Sequence, residues 1–394
     1  MSARQIIENV YSVGAIDWHR TLFDALIPLA SGTTYNAYFI RGSEKNALID
    51  TVESDHFEEL WANLQQLRVD RIDYIISNHA EQDHSGSLPL VLQKFPEAKI
   101  VTNKKCCDML LELLPLKDDD FFIISDNETL SLGDKNLQFI FAPWVHWPET
   151  MFTYLAEDQV LFSCDLFGAH YASSRLFAEP AEVVLRETKR YYAEIMMPFA
   201  RSITKYLDKL SGMSLQIIAP SHGPLWRESG RLLQEYGKWV APQPENKVLI
   251  IYISMHGSTE KIVRHLTSAL MQRQISVQPF NMVNADIGEI ALELVDAATV
   301  VFASPAVLLG PHPNIVYAAY LINSLKPKTR QVGIIGSFGW GNKLADQLTE
   351  ILSNLKSEFL SAILIKGYPA KEDLAALDSL AEQIHINHRG IAGV

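Results

Sequence analysis

The stretch NHAEQDHSG, residues 78–86, carries two imidazoles and two carboxylates, His79, Glu81, Asp83 and His84, within six positions. It follows the apolar run DYIISN (73–78), which reads as a buried strand, so the four side chains sit at a strand's carboxyl end and lead into a helix starting near Ser85. Side chains alternate along an extended segment, so His79 and Glu81 point the same way. Asp83 and His84 turn with the chain and form a second, adjacent set. Two sets imply two metal ions, and four residues do not complete two sites.

Further ligands are expected from other strand ends. His146 lies in APWVHWPET (142–150), just after the apolar run LQFIFAP; Asp165 ends QVLFSCD (159–165); His222 lies in APSHGPLW (219–226), just after LQIIAP. Each follows an apolar strand, where a rigid sheet can aim it into a common cleft. The full set is four histidines and three carboxylates. Three terminal ligands per ion plus one bridging carboxylate account for all seven. Two divalent ions carry four positive charges, which three carboxylates and a bridging hydroxide cancel. A neutral, mixed nitrogen and oxygen site with open positions suits redox-active iron, while ligand type alone leaves a zinc hydrolase open.

Bulk properties narrow the function classes. The chain has 394 residues, enough for two or three domains. Its formal net charge is -12 and its longest basic run is Lys104-Lys105, which argues against a nucleic-acid surface. The start, MSARQIIENVYSVGAIDWHR, has no apolar signal region, and no apolar segment approaches a membrane span. Cys106, Cys107 and Cys164 make neither a disulfide framework nor a C-x-x-C, which points to a reducing cytoplasm.

The rhythm changes near residue 245. Residues 1–245 read as short strands mixed with a few helices, among them DHFEELWANLQQL, SLPLVLQKF and a long helical stretch over 180–211. APQPENK (241–247) reads as a linker. Residues 246–394 alternate five near-continuous apolar strands with helices, the pattern of a doubly wound parallel sheet. After its first strand comes SMHGSTEK (254–261), a strand-loop-helix turn suited to an anion, with hydroxyls from Ser254, Ser258 and Thr259. It is neither a Walker A nor a G-x-G-x-x-G loop. ASPAVLLGPHP (303–313) and GSFGWGNK (336–343) follow the third and fourth strands.

H-x-E-x-D-H with later His, Asp and His resembles the metallo-β-lactamase-like superfamily. The Glu at 81, with the C-terminal half, looks like the flavodiiron proteins, and GTTYNAYFI (32–40) and HWPETMFTY (146–154) extend the likeness over essentially the whole chain. The resemblance implies a metallo-β-lactamase-like αββα sandwich followed by a flavodoxin-like domain. It implies one iron on His79, Glu81 and His146, a second on Asp83, His84 and His222, and Asp165 bridging. It further implies FMN held by Ser254, Met255, His256, Gly257, Ser258 and Thr259 at the phosphate. Ser304, Pro305, Ala306, Val307 and Leu308, with Ser337, Phe338, Gly339, Trp340 and Gly341, would flank the ring, Trp340 offering a flat apolar face.

The family implication is an enzyme that scavenges O2 or NO with electrons relayed through FMN. A non-catalytic electron carrier or a slow redox sensor would use only part of these features. The resemblance also implies a head-to-tail homodimer, possible dimers of such dimers included. No rubredoxin module with two C-x-x-C is visible up to the closing NHRGIAGV, so an external donor is implied, a rubredoxin or a reduced deazaflavin, whose docking the acidic charge would aid. The chain departs from the commoner family pattern at Ala306-Val307-Leu308-Leu309, where many relatives have Thr and Asn, and at Asn342, where many have Gly. Asp24 stands after Phe23 where many relatives carry a His, and Tyr191 and Tyr192 in RYYAEIMMPF match a segment near the metals. Tyr192 is the one expected to reach a bound intermediate, with core packing the role of at least one of the pair.

Overall fold

The computed structural model describes residues 2–391, so Met1 and the last three residues of NHRGIAGV lie outside the described part. The chain separates into two compact units, one of the residues up to Tyr192 with Phe199–Val240, the other of Ala193–Pro198 with the residues from Ala241 onward.

The first unit holds two large sheets. One runs in the order Arg4–Ile7, Val10–Ser12, Tyr38–Arg41, Asn46–Ile49, Tyr74–Ile76, Lys99–Thr102, Phe121–Ile123. The other runs Thr129–Ser131, Asn136–Phe141, Met151–Leu155, Val160–Cys164, Ile217–Pro220. Ile40, Ile49, Ile76 and Val101 of the first sheet share one core with Phe139, Met151, Phe162 and Ala219 of the second. Each such buried Ile, Val, Phe or Met side chain contributes about 1.5–3 kcal/mol. Met151–Leu155 and Val160–Cys164 are buried at every position, as strands covered on both faces must be.

Two local expectations are corrected. The helix expected over 180–211 is broken into Ala181–Tyr191 and Ala200–Ser211 by a π-helical turn, Tyr192–Met196, and a 3-10 turn, Met197–Phe199. Pro198 is the physical reason: it has no N–H to donate, and its ring crowds the carbonyl four residues back. The helix expected near Ser85 is likewise two pieces, Gln82–Ser85 and Leu88–Lys94, the second with Pro89 in its first turn.

The second unit is a parallel sheet in the order Ser276–Asn281, Glu245–Tyr252, Ala297–Val307, Gln331–Phe338, with Glu358–Phe359 and Ile363–Lys366 both pairing the last of these. The strand order reverses at Glu245–Tyr252, as in doubly wound flavodoxin-like sheets. Ser276–Asn281 departs from the expected buried strand. It lies at the sheet edge and is mostly exposed, and an edge is where Pro279 can be accommodated.

Candidate metal centre and flavin loops

The loops after Tyr74–Ile76, Asn136–Phe141, Val160–Cys164 and Ile217–Pro220 converge, bringing together all seven residues singled out from the sequence. Their donor atoms form two groups, His79, Glu81, His146 and Asp165, and Asp83, His84 and His222. His79 Nε2 lies 3.1 Å from Glu81 Oε2 and 3.6 Å from Asp165 Oδ2. His146 Nε2 lies 3.4 Å and 3.5 Å from the same two oxygens. On the other side, His84 Nε2 is 3.1 Å from Asp165 Oδ1 and 3.2 Å from Asp83 Oδ1. His222 Nε2 is 3.1 Å from Asp83 Oδ2 and 3.5 Å from Asp165 Oδ1. Asp165 thus turns one oxygen to each group.

This chemistry fits a pair of cations. Both carboxylate oxygens of Asp83 are buried without a hydrogen-bond partner, although imidazole nitrogens stand close by. A buried carboxylate in that state is costly unless a cation shares the space. Donor atoms each ~2.1 Å from one tetrahedral ion stand ~3.4 Å apart, close to the separations observed. Cys164 Sγ also comes near His84 and Asp165. Burial, with the Asp165 charge, pushes its thiol well above the ordinary range in the metal-free protein.

A second layer fixes the rings. His79 Nδ1 pairs with Glu149 Oε1 at 2.7 Å, and Ala80 N donates to the same oxygen. His222 Nδ1 donates to Thr34 O at 2.6 Å. In both cases Nδ1 is engaged and Nε2 is left for the metal position, the carboxylate- or carbonyl-histidine arrangement of metal sites. Glu149 escaped the sequence reading although it stands three residues after His146 in HWPET; its partner lies seventy residues earlier. Asp50 holds the base of the loop, accepting from Asn78 N and Asn78 Nδ2 at 2.8 Å and 2.9 Å.

The tyrosine expectation is reversed. Tyr191 donates to Asp165 Oδ1 at 3.0 Å, while the Tyr192 hydroxyl donates to Trp239 O and its ring packs on Tyr236 and Trp239. Asp24 sits at the turn between Leu22–Phe23 and Ile27–Pro28, with φ 49°. Partial burial, and then the Glu81 and Asp83 charges, raise its carboxyl above the usual range, so it lies within electrostatic reach of the cluster.

The cluster holds protons when it holds no cation. Burial lowers the affinity of His79 for a proton, but Glu149, Glu81 and Asp165 outweigh it and push the imidazole up to about 10. His84 and His146 rise to about 9 for the same reason, burial being opposed by Asp165 with Asp83 or Glu81. These folded values lie above the unfolded one. Their stabilisation of the metal-free protein is therefore full below about pH 6.5 and fades as pH rises through 9 to 10. Adding Fe2+ to metal-free protein at pH 7.5 should release at least three protons per chain, those of His79, His84 and His146, read with an indicator in weak buffer. Release of none would mean the ions bind elsewhere.

In the second unit, Ser258–Met271 begins at Gly257, whose φ is 86° and which has no side chain of its own to cap the helix. The loop before it is tied by Ser254 Oγ, which accepts from Gly257 N and Glu260 N. Met255 and His256 are exposed and Gly257 and Ser258 half-buried. Thr259 and Ser337 are buried and pair with each other at 3.0 Å. Ser304 is buried too and accepts from His312 N, bracing its own hairpin; Pro305 is buried beside it. Ala306 and Val307 pair with Gly310 and Pro311, leaving Leu308 and Leu309 at the turn, both at positive φ. Phe338 and Gly341 are half-buried, Gly339 exposed, and Trp340 is 84% exposed. Thr259 and Ser337 therefore connect two of the loops and Ser304 braces its own, while Met255, His256, Leu308 and Trp340 are exposed. A helix N-terminus at the switch point of a parallel sheet fits a phosphate-bearing group.

Comparison with known proteins agrees with this geometry. Residues 33–223 match the model for the ODP family beta lactamase. A nitric oxide reductase of Moorella thermoacetica is 34% identical over 388 residues, covering 96% of this chain and 97% of that one. The structure of rubredoxin oxygen:oxidoreductase from Desulfovibrio gigas superimposes with a TM-score of 0.95 at 30% identity, over 100% of both chains. A flavodiiron protein of Giardia intestinalis superimposes at 0.93 and 30% identity, over 99% of this chain and 98% of its own. With a metallo-β-lactamase-like unit ahead of a flavodoxin-like parallel sheet, and likeness over its whole length, the chain belongs to the flavodiiron protein family.

Proposed function

We propose that the chain reduces O2 to water, NO to N2O, or both, at a non-haem diiron site, with electrons relayed through FMN from an external donor. The observation that carries this reading is Asp165, one carboxylate facing two ligand groups at once, in a chain that also holds a flavodoxin-like sheet. The Moorella and Desulfovibrio relatives, named for NO and for O2, support both substrates. A zinc hydrolase would leave the second unit without a task.

In this reading His79, Glu81 and His146 would hold one iron and Asp83, His84 and His222 the other, with Asp165 turned to both groups. When bound, the iron pair and the flavin supply two electrons each, four being what O2 needs to become two waters and two what two NO need to become N2O and water. Glu149 and Thr34 keep Nε2 of His79 and His222 aimed, and Tyr191 keeps Asp165 from rotating away from its double role. The loops at 254–259, 304–308 and 337–341 would cradle FMN, with Trp340 against its ring. We assign residues 1–245 and 246–394 to the two domains, a rubredoxin or a reduced deazaflavin as donor, and a cytoplasmic scavenging role. No helix among the described residues is long and apolar enough to cross a membrane.

Metal and flavin analysis of protein purified without added metal tests the reading. About two irons and one FMN per chain are expected, after which O2 and NO consumption are compared with each donor. Two zincs and no flavin would overturn it. A head-to-tail dimer makes a further prediction. Mixing a His79→Ala chain, dead at the metals, with a Gly257→Val chain, strained at the flavin loop, should restore turnover that neither shows alone. A mixture that stays inactive while forming mixed dimers means each chain uses only its own pair of centres.

A further inference from the structure

By the charge of their own ligands the two metal groups are alike. Each has two histidines and one carboxylate of its own, Glu81 or Asp83, and each faces one oxygen of Asp165. Their outer partners differ. His79 Nδ1 is 2.7 Å from Glu149 Oε1, and Ala80 N donates to the same oxygen at 3.1 Å. His222 Nδ1 is 2.6 Å from the Thr34 carbonyl oxygen, which carries no net charge. The Glu149 side chain is fully buried, and its Oε2 has no hydrogen-bond partner, so the charge is directed at His79 and Ala80. The buried Asp50 carboxylate bonds Asn78 rather than a ligand ring.

An ion on Nε2 of His79 leaves the ring proton on Nδ1, where it donates to Glu149. Two N–H donors on one oxygen favour the ionised acid. Its negative charge then stands one imidazole away from the first position, where water screens little. At the second position the corresponding atom is a neutral carbonyl oxygen. A nearby anion stabilises Fe3+ more than Fe2+, because the attraction grows with the charge of the ion.

We propose that Glu149 makes the two metal positions unequal, so that the iron on His79 gives up its electron before the iron on His222. The inference rests on the diiron reading. Glu149 acts only through His79, as a positioning residue that also carries a charge, and no proton moves.

Glu149→Gln keeps an acceptor oxygen for both N–H groups and removes the charge, whereas Glu149→Asp keeps the charge. Iron-loaded protein of each is titrated between the diferrous and diferric states, with dithionite supplying electrons and ferricyanide accepting them. The mixed-valence pair is read by electron paramagnetic resonance. In Glu149→Gln the balance of Fe3+ over Fe2+ at the first position should weaken about tenfold, which raises the couple met first on oxidation by about 59 mV. The second couple should move less, so the two potentials draw together and the largest mixed-valence signal falls. Glu149→Asp should show a smaller rise.

A gap between the potentials that is unchanged or wider in Glu149→Gln overturns the proposal. An equal rise in Glu149→Asp does so too, because shape rather than charge would then be responsible. Loss of iron from both variants would make Glu149 only a brace for His79, and also overturns it. Loss from Glu149→Gln alone supports it, since that variant keeps the acceptor and lacks the charge. Wild-type protein that takes up no iron pair would instead sink the diiron reading itself.

Discussion

Asp165→Ala should empty both metal positions and abolish turnover while leaving the flavin bound. One carboxylate approaches the Nε2 atoms of His79, His84, His146 and His222, and it accepts from Tyr191. Even an outer partner of a ligand is worth about 10–100-fold in metal affinity, so loss of a shared inner ligand should weaken each position by more than about 100-fold. The change also removes the charge that holds the histidines protonated in metal-free protein, so their pKa values should fall. Iron and FMN per chain after dialysis measure the outcome. A variant keeping one firmly bound iron would show that Asp165 serves a single metal. Asp165→Asn, which retains one oxygen donor, should fall between the two.

Asp50→Ala should have the largest effect on folding of the metal-bearing unit. The Asp50 carboxylate is 3% exposed and bonded twice to Asn78, the residue before His79. Asn78 in turn accepts from Thr153 Oγ1 and from Met151 N, joining the two sheets below the site. Burial raises the Asp50 carboxyl above its usual range, His84 and the Asn78 bonds working against that. Truncation leaves two buried donors unpaired and puts Ala at φ 53°, a left-handed conformation that Asp tolerates better. The combined cost is about 3–5 kcal/mol, or a Tm lower by roughly 10 °C. Calorimetry of the metal-free variant checks this. A shift under about 2 °C would show that Asn78 finds other partners.

Much of the site was legible because ligand-type residues placed directly after apolar strands need only a sheet to bring them together. Period-two burial and the terminal position of His79, His146, Asp165 and His222 are local facts, written in runs of six to ten residues. The doubly wound half was legible for a similar reason, since near-continuous apolar runs require cover on both faces. What failed to appear there depended on neighbours: Ser276–Asn281 reads like its sister strands, yet it is an exposed edge. The break at 192–199 was signalled by Pro198, but the apolar periodicity on either side concealed it.

The amino-acid sequence by itself determined the inventory: two sets of metal ligands, a strand-loop-helix turn for an anion, and the order of the two folds. Tertiary structure alone decided the pairings. Glu149 with His79, Thr34 with His222, Tyr191 rather than Tyr192 with Asp165, and His170 with Thr33 all join residues far apart in the chain. No short-range pattern encodes such pairs. A hydrogen bond depends on distances of about 3 Å between particular atoms, and those distances exist only once the sheets have packed.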